Sequence, residues 1–431
     1  MRLVAYLMAG PAASYPSSWR HPAATLDDMF TPDRWEQLAR SMEAALFDAC
    51  FFADSLGIPG LYKGSIADYV GRGGQLGLLD PMTLVPLMAR VTTHLGIGIT
   101  LSTSFTPPYL LARYLASLDI LSQGRAAWNV VTTGRDFEAQ NCGMADGLPP
   151  KDARYDMADE VLEACDALWT GWDADALVLD RENGVFADPA KIRAADYAGR
   201  YVSTRGPLPG PRSPQVRPVL MQAGSSPRGR AFAARWAEAI FCTPATKQDA
   251  SAYRADLHAR MAAIGRPVAE CAVLPSFTVV VAETESIARE KAAHLESLVD
   301  PELVLASSSW SVVADLSRID TPEALDAPGS NQGVQGHRDR MMQVARKEGI
   351  SFAEAVRRPR PLLAGTPAMI ADVLEDWFTD EACDGFILPP TLFPSTIEDI
   401  GRMLVPELQR RGLFRTAYSG RTLRETLRSG D

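Results

Sequence analysis

The stretch Arg217–Phe232, RPVLMQAGSSPRGRAF, decides the fold. Its first half, from about Pro218 to Ala223, is an apolar run of strand length that passes directly into Gly224-Ser225-Ser226-Pro227 and then into residues with helical spacing. Ser225 or Ser226 suits the N-cap of that helix and Pro227 its first turn, because a side-chain oxygen satisfies free N–H groups there and proline has none to leave unpaired. A strand that feeds straight into a helix is half of a βα unit, and chains of such units build parallel sheets.

Working outward from this unit, the same alternation recurs on both sides. Strands are predicted at about Leu3–Met8, Cys50–Asp54, Leu95–Ser102, Ala126–Thr132, Pro218–Ala223, Ala239–Cys242, Val273–Val281 and Gly385–Leu388. Between them lie segments with apolar residues on one helical face, such as RWEQLARSMEAALFDA (34–49) and PAMIADVLEDWFTDEA (367–382). Eight strands alternating with helices predict an α/β fold, a (β/α)8 TIM barrel, with a doubly wound sheet as the alternative. Two stretches break the alternation. Residues from about 173 to 216 are rich in Asp, Pro and Gly and end in GPLPGPRSPQ, and residues from about 285 to 360 are helical and polar around a flexible middle, APGSNQGVQG (327–336). Both are expected to cover the barrel mouth as insertions in a single barrel domain spanning residues 1–431.

Composition narrows the function. The chain has 431 residues, 46% of them hydrophobic, which suffices for a large core. Lys and Arg number 43 against 53 Asp and Glu, so the net charge is -10 and neither nucleic acid nor an anionic membrane surface is expected as a partner. No apolar run approaches the ~18 residues of a membrane span. The six cysteines are scattered without a CxxC pair, which suits a reduced, cytoplasmic protein. The N-terminal MRLVAYLM reads as a first strand and not as a signal peptide, since its apolar run breaks at Gly10-Pro11.

The Gly-Ser-Ser turn collects exposed amides, two hydroxyls and Arg228 or Arg230 at a helix N-terminus, a ready site for a phosphate. A plain cap would show the same residues. Asp54 ends a strand on the face where barrels keep their chemistry, and serves either to accept hydrogen bonds from a ligand or to cap the next loop. Asn129 and Thr132, at the end of WNVVTT, offer donors and acceptors suited to a heterocycle, or else satisfy backbone groups. The five histidines are far apart and lack metal-ligand spacing, so no metal is expected. The glycine run 71–77 fails GxGxxG and reads as a flexible loop, and neither a Walker motif nor a GxSxG elbow occurs. Tyr15, Trp19, Tyr62, Phe105 and Tyr109 are expected to line a pocket for a flat or apolar substrate, and Arg205, Arg212 and Arg357 to Arg360 are candidates to meet a carboxylate.

WRHP (19–22), FFADS (51–55), TLSTSF (100–105) with PYLLAR (108–113), LASLDILSQGRAAWNVVTT (115–133), DARYDMADE (152–160), RGPLPGPRSPQ (205–215), RPVLMQAGSSPRGR (217–230) and VPELQRRGLFR (405–415) occur in one order along nearly the whole chain. In these motifs the sequence resembles the bacterial-luciferase-like flavin monooxygenases, in the subgroup of nitrilotriacetate monooxygenase component A, EDTA monooxygenase and dibenzothiophene-sulfone monooxygenase. The resemblance implies a TIM barrel that binds FMN reduced by a separate NAD(P)H:flavin reductase, and that uses dioxygen to oxidise a small organic substrate. It also implies a homodimer or homotetramer. By motif, Asp54, Thr103 or Ser104, Asn129, Thr132 and Tyr155 would hold the isoalloxazine, ribityl chain or phosphate, and Ser225 with Ser226 the phosphate. The resemblance departs where relatives carry histidine. Lys151 heads KDARY, where it would meet a phosphate as a point charge, Ile120 stands in LDILS, Tyr197 in DYAG, and no histidine precedes WRHP. Tyr15, Lys151 or the substrate itself is left for proton transfer there, unless the reaction needs no such group. The alternatives are a deazaflavin-dependent hydride-transfer enzyme of the same superfamily and a catalytically silent flavin-binding subunit.

Overall fold

Eight short runs that are buried along nearly their whole length form one parallel sheet: β1 (Arg2–Met8), β2 (Ala49–Ala53), β3 (Gly96–Ser102), β4 (Ala126–Val131), β5 (Val219–Gln222), β6 (Ala239–Cys242), β7 (Ala272–Pro275) and β8 (Gly385–Leu388). Burial on both faces is what a parallel sheet covered by helices requires. The computed structural model describes residues 1–10, 14–318, 335–358 and 360–429, without the side chains of 335–340. The strands neighbour one another in the order β7-β6-β5-β4-β3-β2-β1-β8. The sheet then comes round on itself, since the Asp384 amide donates to the Val273 carbonyl at 2.9 Å and the Phe277 amide to the Ile387 carbonyl at 3.0 Å. The N-terminal run is therefore the first barrel strand, paired with β2 and β8.

Register fills the interior. Phe51 lies opposite Gly98 on β3, and Gly98 opposite Ala127 on β4. A Cβ at Gly98 would sit 2.9 Å from the Phe51 Cβ, so glycine makes room for the ring. Phe51 then stacks on Phe241 with ring centres 4.2 Å apart. The N-terminal end is sealed by the helix Leu423–Arg428, whose Leu423 and Leu427 join Val4, Ala49, Ala127 and Val219 inside the barrel. Around this seal Arg424 pairs with Glu238 at 2.9 Å and Arg415 with the fully buried Asp48.

The expected strand Val273–Val281 divides in two. β7 ends at Pro275, a parallel bridge from Ser276 to Ile387 carries the barrel pairing one residue further, and Val279–Val281 pairs instead with Leu363–Gly365 in a separate two-stranded parallel sheet. The change of partner falls after Phe277, since the Leu363 amide already donates to the Thr278 carbonyl at 2.9 Å. The two insertions also take different places. Within 285–360, the helices Pro301–Val312 and Phe352–Arg357 pack over the loop that follows β2, burying Leu303, Leu305 and Phe352 against Tyr62 and Tyr69. The other insertion, at about 173–216, does not lie over the mouth. It runs along the outside of the helix Lys151–Trp169, where Glu160 accepts the amides of Arg200, Tyr201 and Val202. Its end reaches the opposite face, where Gln215 donates to Asp119 and to the Ala126 carbonyl at the start of β4. A run so rich in Pro and Gly has few apolar residues with which to roof a cavity, and it satisfies itself on helix carboxylates. The segment 327–334, expected to be flexible, lies outside the described residues.

Candidate active site

β2 to β5 deliver their last residues to one end of the barrel, the C-terminal face. On the inward alternation of β3 and β4, Thr100 lies opposite Asn129. Asn129 Nδ2 donates to Thr100 Oγ1 at 2.9 Å, and Thr100 donates onward to the Phe52 carbonyl at 2.7 Å. The amide oxygen of Asn129 is buried without a hydrogen-bond partner, an acceptor still to be satisfied at the floor of the mouth. Ser102 accepts from the Thr133 hydroxyl at 2.7 Å and from the Ser104 amide. Thr103 and Ser104 themselves donate their hydroxyls to the carbonyls of Val131 and Thr132.

Asp54 follows β2 and closes one wall. A Cβ at Gly77 would lie 2.8 Å from its Oδ1, so the glycine run 71–77 is packed against the carboxylate and is not a loose loop. Burial pushes the Asp54 carboxyl up to about 6, helped by Asp80 and Glu138 and opposed by the Ser55 N–H. A cavity of about 160 Å³ opens here between Met8, Ser55, Gln75, Gly77 and Trp310. A larger furrow of about 600 Å³ at the other end of the barrel, among Pro214, Thr422 and Arg424, is an open surface feature whose Arg424 is already paired with Glu238.

The second half of the site is the Gly-Ser-Ser turn. Ser226 caps the helix Pro227–Trp236, accepting from the Gly229 N–H at 3.2 Å. Tyr155, on the first turns of the helix Lys151–Trp169, is buried beside Thr132 at the end of β4 and Gln222 at the end of β5. A Cβ on Gly229 would come within 2.8 Å of the Tyr155 hydroxyl and 3.2 Å of Ser226 Oγ, so these groups form a cradle that tolerates no side chain. Thr132, Tyr155, Ser225 and Ser226 thus meet at one place. Lys151, four residues before Tyr155, shares its helix face, and burial and Arg154 lower its ammonium pKa. Arg228 and Arg230 are committed elsewhere, to Asp156 with Asp159 and to Asp256 respectively, and the Gly224 and Gly229 amides donate to Gln222 Oε1 and Ser226 Oγ, so the amides of Ser225, Ser226 and Arg228 are the candidate donors to an anion.

Other expected residues prove structural. Tyr15 is buried among Val280, Ala292 and Leu295, and Tyr62 donates to Glu302 beneath the insertion. Trp19 donates to the Arg72 carbonyl. Tyr109 packs on the outer core, and Arg212 donates to the Thr170 carbonyl. Two positions that lack the family's histidine lie away from the mouth: Ile120 is exposed on the outer helix Pro108–Leu121, and Tyr197 donates to Glu163 on the outer insertion. Their replacement does not touch the site. Conversely, Tyr6, Thr100, Ser102, Arg135, Glu138 and Trp310 border the mouth without having been singled out. Alternation along TLSTSF and along β1 points Thr100, Ser102 and Tyr6 inward; nothing local marks Arg135 or Trp310.

A TIM barrel whose C-terminal face joins a capped helix N-terminus to a polar floor with an unpartnered acceptor defines the class: a barrel enzyme with its candidate site at the strand ends. Residues 12–381 match the family described as Luciferase-like monooxygenase. The chain is 40% identical to the dibenzothiophene-sulfone monooxygenase of Rhodococcus erythropolis (strain XP), covering 99% of this chain and 96% of that protein. It is 37% identical to nitrilotriacetate monooxygenase component A of Aminobacter aminovorans, covering 95% and 92%. The crystal structure of riboflavin lyase (RcaE), with modified FMN and the substrate riboflavin, superimposes with a TM-score of 0.87 at 34% identity, covering 99% of this chain and 95% of that one. The chain belongs to the luciferase-like monooxygenase family.

Proposed function

We propose that the chain is the oxygenating component of a two-component, FMN-dependent monooxygenase, supplied with reduced FMN by a separate NAD(P)H:flavin reductase and acting on a small organic molecule. The observation that carries this reading is the junction of Thr132, Tyr155, Gln222 and the Gly224–Gly229 turn beside the unpartnered amide oxygen of Asn129. The residues fit the cofactor. The turn amides, Ser225 and Ser226 are suited to its phosphate, with Tyr155 and Lys151 flanking them, while Asn129 Oδ1 and Asp54 offer acceptors to ring N–H groups, and Thr103 and Ser104 stand between. When bound, reduced FMN supplies the electrons for activation of dioxygen. The chain's own contribution is positioning and exclusion of water, with Trp310 and the packed 71–77 loop closing the mouth over the inward polar floor. Asp54, with its carboxyl near 6, can hold or release a proton at Oδ close to neutral pH.

The six free thiols fit a reducing cytoplasm, and no helix among the described residues is long and apolar enough to cross a membrane. A homodimer or homotetramer is proposed with them, because Leu110, Tyr114 and Leu121 leave one face of the helix Pro108–Leu121 exposed and apolar; light scattering tests it. The test of the activity is incubation with NADH, FMN, a flavin reductase and ¹⁸O₂ against a panel of sulfones and aminopolycarboxylates. Label in one product oxygen, dependent on the chain, is expected. Failure to bind reduced FMN, with no substrate consumed, would overturn the proposal.

A further inference from the structure

Arg135 occupies an unusual position for a cation. Its guanidinium carbon lies 3.8 Å from the centre of the Trp310 ring, so one face is covered by the indole. Its ionic neighbour among the described residues is Glu138 Oε2 at 3.6 Å, beyond hydrogen-bonding range. Glu138 cannot simply move closer. Its other oxygen accepts from Ser55 Oγ at 2.8 Å and from the Leu56 amide at 3.1 Å, which fastens it to the loop after β2. The indole N–H of Trp310 is buried without a partner, and Trp310 lines the cavity beside Ser55. A second cation, the exposed Arg360, has no ion pair among the described residues, and the Tyr6 phenol feels the field of both arginines. A half-buried guanidinium with one long ion pair, to a Glu138 Oε2 that itself lacks a hydrogen-bond partner, stands next to an orphaned donor and keeps charge that a ligand completes. A planar oxyanion matches the fork of Arg135 and leaves an oxygen for an N–H beside it.

We propose that Arg135 and the Trp310 indole N–H form a subsite of the mouth for a carboxylate or sulfonate carried by the substrate, with Arg360 adding positive field. This deepens the monooxygenase reading and rests on it for the word substrate. The subsite is distinct from the phosphate cradle, which is built on β5 and its turn. It makes the preferred substrate an organic anion whose body is flat enough to lie under the indole.

The test uses the full chain without flavin. Naphthalene-2-carboxylate, naphthalene-2-sulfonate and the uncharged naphthalene-2-carboxamide are titrated by calorimetry, with saturating inorganic phosphate present to fill the Ser226–Gly229 cradle. Both anions are expected to bind about tenfold more tightly than the amide, as one charge-assisted contact allows. Arg135→Met should abolish the preference, and Arg135→Lys should keep part of it. Equal affinity for the amide, no binding of either anion, loss of the preference in phosphate, or an intact preference in Arg135→Met would overturn the proposal. Reduced-FMN binding is measured separately on the same proteins, so loss of the flavin reading and loss of the anion subsite are distinguishable.

Discussion

At the N-terminal end of the barrel, Arg125 donates each of its N–H groups: to the Ser122 carbonyl, to Thr92 Oγ1 and the Leu95 carbonyl, and to the Ala89 and Thr92 carbonyls, at 2.7 to 3.0 Å. At the C-terminal end, Arg135 has Glu138 at 3.6 Å and an indole face. Arg125 is buried and Arg135 half-buried, and burial lowers the pKa of each. One is a finished structural joint and the other is incomplete. Burial raises the carboxyl pKa of Asp48 below and of Asp54 above, yet Asp48 is paired to Arg415 whereas Asp54 has no ion pair among the described residues. Buried polar groups cost stability unless paired, and although Asp119 Oδ2 and Ser213 Oγ lack partners at the other end, those that lack them around the open mouth, Asn129 Oδ1 and the Trp310 N–H, stand where a ligand can reach.

This contrast makes unequal demands on substitutions. Arg125→Met, at the finished end, strands several buried carbonyls, and a loss of about 3–5 kcal/mol in denaturant unfolding is expected. Flavin binding per folded molecule should not change. Gly229→Ala, at the open end, puts a methyl against Tyr155, and the expected result is the reverse: affinity for reduced FMN falls roughly ten- to hundredfold, about 1.4–2.8 kcal/mol, with a smaller effect on unfolding. Equal stability losses in the two variants would erase the distinction between the ends.

Asp54 gives a test by pH. Its folded pKa, about 6, is above the ordinary 3.8, so the folded state binds this proton more tightly than the unfolded chain does. The stability this confers is full below about pH 4 and is lost as pH rises through about 6. Relative to Asp54→Asn, the wild type should therefore lose about 2 kcal/mol between these limits, after allowance for partial exposure. A flat difference between the two unfolding profiles would show that the carboxyl is not buried as described. The smallest effect is expected for Trp310→Phe, which keeps the apolar roof and removes an N–H that has no partner. Unfolding should shift by less than about 1 kcal/mol, since deleting an unsatisfied donor costs little.

The fold was legible because its signals are local. Pro227 after Ser226 announces a strand-to-helix turn within four residues, and the apolar runs of β1 to β8 identify themselves by length. Among the residues proposed for the phosphate, the Ser226 cap shares that advantage, whereas Tyr155 is reached only through the family resemblance. The roof was not legible. Arg135 and Trp310 are 175 residues apart and meet only because the helix Pro301–Val312 settles over the β2 loop, a long-range packing event that no spacing encodes. Gly77 looked like loop composition for the same reason; its meaning depends on Asp54 standing against it.

The central claim, that the C-terminal face holds reduced FMN between the Gly229 cradle and Asn129, is tested most directly by anaerobic calorimetric titration of reduced FMN into the wild type and into Asn129→Leu and Gly229→Ala. Saturation near one flavin per chain in the wild type, with affinity reduced in both variants while their circular dichroism is unchanged, is the expected result. Binding undiminished in both folded variants, or none in the wild type, would contradict it.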